Sequence, residues 1–182
     1  VNSDGNGTVT GGGTYEYGTS ASLTATPNDY YSFDSWTDDG AQNHSVTVTG
    51  AATYTASFTL NTSVSINDNE SSSYYSTLLS IYNGETINTQ LMRTFYAGMW
   101  NTVCFPFDLT ASQITASDMS DATFYTLSSV TGDAAEGLDF NVSEVTALSA
   151  RTPYLVQVSG ENIVNPVFEG VTLAASAFTN NT

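Results

Sequence analysis

The chain has 182 residues and sets 18 aspartates and glutamates against two cationic side chains, Arg93 and Arg151, for a formal net charge of −16. Lysine is absent, so the counterion release that drives nucleic-acid binding is out of reach, as are attraction to anionic lipid and any P-loop, Schiff-base or isopeptide chemistry built on a lysine amine. Charged residues are only 11% of the chain and hydrophobic ones 40%, which separates it from a disordered polyelectrolyte and leaves enough apolar side chain for packed cores.

Residues 1–60 read as one compact β unit. Ala21, Leu23 and Ala25 alternate with Ser and Thr, the period of a half-buried strand. Pro27-Asn28-Asp29 is a turn, Tyr31, Phe33 and Trp36 gather aromatic bulk, and Asp38-Asp39-Gly40 turns again. Val46 and Val48 alternate, and Tyr54, Ala56 and Phe58 close the unit with a strand whose other face is Thr and Ser. Residues 61–73 form a linker or entry segment in which Val64 and Ile66 pair as a short strand.

Residues 74–182 make the second unit. Its centre runs from Arg93-Thr94 through Trp100-Asn101-Thr102-Val103-Cys104 to Pro106-Phe107. A short helical turn is expected within 111–121, capped by Thr110 or Ser112. Patterned segments follow at Phe124–Leu127, Leu138–Val142, Ala150–Val158 and Asn165–Leu173. No apolar run approaches the roughly 18 residues of a membrane-spanning helix, so no membrane insertion is expected. The chain opens at Val1 and reads as a processed product or an internal piece of something longer.

The first unit resembles a known repeat. Gly7-Thr8-Val9, Tyr15-Glu16-Tyr17-Gly18-Thr19, Leu23-Thr24-Ala25-Thr26-Pro27, Tyr31–Trp36 and Tyr54–Phe58 together resemble the divergent form of the internalin-type B repeat. The resemblance implies a small β-grasp-like module, found in tandem in bacterial surface and secreted proteins, without catalysis. The second unit resembles, over residues 74–175, an uncharacterised β module of secreted and surface proteins from Bacteroidetes-type bacteria. That pattern carries Trp-Asn-Thr, Pro-Phe, Ala-Gly-x-Pro-Tyr-Leu and Asn-Pro-x-Phe, and Arg151 stands here where glycine is usual. The fold class expected is all-β, a β-grasp-like repeat module followed by a β-sandwich or jelly-roll-like module.

Chemistry-bearing residues are sparse. His44, the single histidine, sits in what reads as the turn Gln42–Ser45, and no Gly-x-Ser-x-Gly elbow accompanies it. Cys104 is the lone cysteine. It reads as a buried small hydrophobe, and one His and one Cys do not make a zinc site. No cofactor is expected. The acidity invites Ca2+, through Asn2–Gly7, through Asp34, Asp38 and Asp39, or through Asp68 and Glu70, although the first segment has Gly13 where an EF-hand needs its bidentate acid. Tyr15, Tyr17, Tyr30, Tyr74, Tyr75, Tyr82 and Tyr96 are candidates for exposed rings that could stack on sugars, whereas Trp36 and Trp100 sit in core strings and are expected to be buried.

These readings point to a non-catalytic extracellular structural or adhesive module of a bacterial surface or secreted protein: a stalk, adhesin or filament subunit. Its partners would be copies of itself or other surface proteins. The alternative is a carbohydrate-binding appendage of a secreted polysaccharide-degrading enzyme, with glycans as ligands. Tyr15, Tyr17 and Arg151 are the candidate ligand or interface residues. Arg93 reads as structural and carboxylate-paired, Arg151 as the odd cation whose loss would weaken assembly.

Overall fold

The computed structural model describes residues 1–67, 70–133 and 135–173 and divides into two compact units, Val1–Asn61 and Thr62–Thr182. Strands take 51% and helices 9%, an all-β protein.

The first unit has six strands: β1 (Asn2–Ser3), β2 (Gly7–Thr10), β3 (Ser20–Pro27), β4 (Tyr31–Trp36), β5 (Asn43–Thr47) and β6 (Thr55–Leu60). They form two three-stranded sheets, β1-β6-β4 and β2-β3-β5, with the first and last strands, β1 and β6, running parallel. The expected alternation holds on β3, which turns Ala21, Leu23 and Ala25 inward. Leu23 and Ala25 meet Trp36, Ala56 and Phe58 from the other sheet in one core. Phe33 lies edge-on to Phe58, with centroids 6.2 Å apart. The buried Trp36 indole donates to the Gln42 carbonyl at 3.1 Å, so its one polar atom is satisfied. Gly7 is required by space: a methyl group there would stand 2.4 Å from the Phe58 ring. His44 lies on β5 opposite Leu23 and not in a turn. Its neighbours Ser45, Val46 and Thr47 continue the period-two alternation of a strand.

The second unit opens with β7 (Ser63–Asn67), inside the segment read as a linker, then α1 (Ser72–Ile81) and β8 (Thr86–Met92). β7 and β8 pair in parallel, a geometry that needs a crossover, and α1 is that crossover. Ser71 caps α1 by accepting from the Tyr74 amide. Tyr74 donates to the Ser65 carbonyl at 3.0 Å and Tyr75 to that of Asn67, which ties the helix to β7.

After β8 come β9 (Thr94–Phe95), β10 (Trp100–Cys104), α2 (Ala111–Ala116), β11 (Ala122–Asp133), β12 (Gly137–Val145), β13 (Pro153–Val158), β14 (Ile163–Val164) and β15 (Val167–Thr172). One sheet has the order β10-β13-β11-β12, a second β15-β8-β7, and β9 pairs with β14. The two larger sheets share an aromatic core. The Phe105 ring lies 6.4 Å from Phe124 on β11 and 5.2 Å from Phe168 on β15, and Phe107 reaches Phe168 at 5.6 Å. This is a sandwich arrangement with a β-α-β crossover in one layer. Burial of each such ring stabilises by about 2–3 kcal/mol. α2 begins at Thr110 in a capping box with Gln113; Ser112 lies inside the helix and is not the cap.

Candidate functional site

Tyr15 and Tyr17 lie in the connection between β2 and β3, and both are exposed, Tyr17 at 81%. They line one groove of about 460 Å³. Its floor is Ala21, Leu23 and Val46, the edge of the first unit's core, and its rim includes Gly12 and Tyr54. Tyr15 donates to the Gly11 carbonyl at 3.0 Å, which folds its loop back on itself. The lining carries no carboxylate, imidazole or guanidinium side chain. Such a trough can stack two phenol rings and an apolar floor against a ligand, and its side chains offer no acid–base pair.

The other candidate tyrosines do not join it. Tyr30 takes φ 70° in the turn before β4. Tyr74 and Tyr75 stand edge-on to each other on α1, centroids 5.4 Å apart. Tyr82 is fully buried at the end of α1, because the helix periodicity carries it onto the face of Leu78. Tyr96 is exposed in the loop before β10.

Two of the carboxylates expected to gather around Ca2+, Asp4 and Asp38, have structural duties. Asp4 accepts from the Asn6 amide at 2.9 Å and the Phe58 amide at 2.8 Å. These backbone hydrogen bonds hold its pKa below the ordinary 3.8. Asp38 accepts from the Gly40 amide and stands 3.0 Å from the His44 imidazole. Burial raises its pKa, but the hydrogen bond with His44 and the Gly40 amide outweigh that and leave it lowered. Among the described residues no group of three or more His, Cys, Asp or Glu side chains gathers. Asp68 lies outside the described residues.

Arg151 sits at φ 59°, in the left-handed region that favours glycine. Its amide donates to the Phe105 carbonyl at 2.7 Å, and the neighbouring Ala150 amide donates to Asp108 at 2.6 Å. The turn is therefore held from both sides. Arg93 lies with its guanidinium carbon 4.6 Å from the Phe95 ring centroid, a cation–π contact.

Two core expectations fail on β10. Trp100 is 53% exposed and Cys104 is exposed, whereas Asn101 and Val103 point inward. The cause is parity: the strand can bury only alternate residues, and Asn101 takes the inner place. Its side chain accepts from the Tyr96 amide at 2.9 Å and donates to the Tyr96 and Met99 carbonyls at 2.9 and 3.1 Å. That pins the loop 96–99. Cys104 has its pKa raised by partial burial, with Arg151 acting the other way.

The outward residues of β10 begin an apolar stripe that the sequence did not disclose. Trp100 is opposite Gln157, which is opposite Thr123, so all three share the solvent face. Tyr125 and Leu127 continue that face along β11, and the Trp100 and Tyr125 rings meet edge-on at 5.4 Å. Leu127 faces Val142, and further along Val130 faces Phe140 and Gly132 faces Leu138. Leu127 and Val130 are three apart and would ordinarily lie on opposite faces. A bulge between Leu127 and Ser129 restores them to one face, and the Ser128 hydroxyl donates to the Asn141 carbonyl at 2.8 Å. Phe140 is 64% exposed and Leu138 59%. The alternation Leu138-Asp139-Phe140-Asn141-Val142 is visible in the sequence, but its partner strand breaks period at the bulge.

No curated protein and no solved structure matches the chain. Residues 1–62 match the family model of the divergent InlB B-repeat domain, so over the whole first unit the internalin-type resemblance holds and a bacterial surface repeat module is indicated.

Proposed function

We propose that the chain is a non-catalytic adhesive or structural module of a bacterial surface or secreted protein, working by contact and not by turnover. The match of residues 1–62 to the divergent InlB B-repeat domain carries this reading. Two features support a contact role: the trough under Tyr15 and Tyr17 and the exposed apolar face of the β10-β13-β11-β12 sheet. No helix among the described residues is long and apolar enough to cross a membrane. Beads coated with the chain should be retained on bacterial or host surfaces above beads coated with an inert protein of equal charge. Retention no greater than that control would remove the adhesive reading and leave a spacer.

The trough favours a second reading, carbohydrate binding, because it sets two phenol rings beside an apolar floor. Glycan-array binding that disappears in Tyr17→Ala would establish it. An empty array, or binding untouched by that substitution, would dismiss it.

A further inference from the structure

The hairpin of β11 and β12 extends beyond its sheet. β13 pairs with β11 only from Ala122 to Tyr125, while the β11–β12 pairing continues to Asp133 and Gly137. Past Tyr125 the ribbon has two strands, and β12 has no neighbour on its outer edge among the described residues. An open edge with free main-chain groups is a template for another strand.

The two faces of the ribbon differ. Register places Leu127, Val130, Leu138, Phe140 and Val142 on one face, and Ser129, Thr131, Asp133, Asp139 and Asn141 on the other. The hairpin end is braced: Asp133 accepts from the Ala135 and Glu136 amides at 2.8 and 2.9 Å, and those bonds hold its pKa down. At Gly132, with φ +100°, a methyl group would stand 2.0 Å from the Gly137 carbonyl oxygen. The ribbon is thus a built element.

A strand added along β12 would set alternate side chains beside Leu138, Phe140 and Val142, and the intervening ones beside Asp139, Asn141 and Ser143. That alternation selects apolar residues on one side, and Asp139 together with the chain's net charge of −16 favours cationic residues on the other. Charge complementarity decides the occupant. This chain has no lysine and two arginines, and no segment of it alternates apolar with cationic residues, so a second copy lacks the complementary charge. Two copies at −16 each also repel, and an edge bearing Asp139 resists pairing with itself.

We propose that the β12 edge and its apolar face form a docking site for an extended segment of a different protein in which apolar residues alternate with Lys or Arg. The proposal rests on the reading of the chain as a contact module and names the partner's chemistry.

The test titrates the whole chain into a fluorescent peptide alternating valine with lysine, with a glutamate-for-lysine peptide as control. The lysine peptide should bind, the glutamate peptide should not, and added salt should weaken binding. Phe140→Thr and Asp139→Asn, both at exposed positions, should each weaken it about tenfold or more, with melting temperature as the check on folding. Absence of lysine-peptide binding, binding that both variants leave unchanged, or equal binding of both peptides would overturn the site. Self-association of the chain that Phe140→Thr abolishes, without peptide binding, would assign the face to a second copy and overturn it equally. Failure here with the chain still exposed on intact cells would sink only this inference. Success with the chain confined to the cytoplasm would sink only the surface reading.

Discussion

Arg151 shows how a single residue can be marked in sequence and explained in three dimensions. It stands where the resemblance proposed for the second unit expects glycine, and the turn holds it at φ 59°, a conformation that costs a non-glycine residue about 1–2 kcal/mol. Arg151→Ala keeps the strain and loses the side chain; Arg151→Gly loses both. Allowing for the extra freedom glycine brings to the unfolded chain, the Gly variant should be more stable than the Ala variant by about 0.5–1 kcal/mol in denaturant titration. Asn101 is the opposite case, a polar residue that the core requires. Asn101→Ala leaves the Tyr96 amide and carbonyl without their partner and should lower stability by about 2 kcal/mol, with greater protease sensitivity in the loop 96–99. Asp4 sets a pH dependence. Its pKa is lowered on folding from the ordinary 3.8 by hydrogen bonds from Asn6 and Phe58. The stabilisation is therefore present above 3.8 and lost as pH falls through the lower folded value. The stability gap between the wild type and Asp4→Ala should be wide near neutrality and narrow below about pH 4; a gap that widens in acid would contradict this.

At the scale of elements, alternation was the legible signal. The strand of Ala21, Leu23 and Ala25, the Thr110 cap and the final strand of the first unit follow from period-two pattern and capping chemistry alone. What the sequence concealed was parity and interruption. In the string Trp100–Cys104 either set of alternate residues can be the buried one, and apolar content alone favours Trp100 and Cys104 over Asn101. The decision lies in loop hydrogen bonds that sequence does not display. α1 was equally hidden: Ser72–Ile81 has a weak apolar stripe and follows a segment that reads as a linker. The bulge at Ser128 scrambles the periodicity of β11, so the apolar face of the ribbon emerges only from the register. Of the candidate residues, Tyr15 and Tyr17 do meet at one groove, while the ribbon left no signal beyond Leu138–Val142. Deleting Ser128 should remove the bulge and leave Leu127 and Val130 two apart, on one face, opposite Val142 and Phe140. Binding of an apolar dye such as ANS to the ribbon should persist, with the melting temperature little changed; dye binding lost on the deletion would deny Ser128 its place as the extra residue.

At the scale of the whole molecule, a strongly acidic composition meets an architecture of two separately packed units. The chain carries −16 with a sequence pI near 4.1, which favours solubility near neutral pH and rejects anionic partners. Each unit encloses its own core, one around Trp36 and Phe58 and the other around Phe105, Phe107 and Phe168. The exposed surface includes the outer face of the β10-β13-β11-β12 sheet and the trough under Tyr15 and Tyr17. We propose that this surface faces the outside of a bacterium. Antibody raised against the chain and applied to intact producer cells decides the matter. Labelling of intact cells equal to that of permeabilised ones, or recovery of the chain in the medium, is expected. Labelling that appears only after permeabilisation, with none of the chain in the medium, would contradict it.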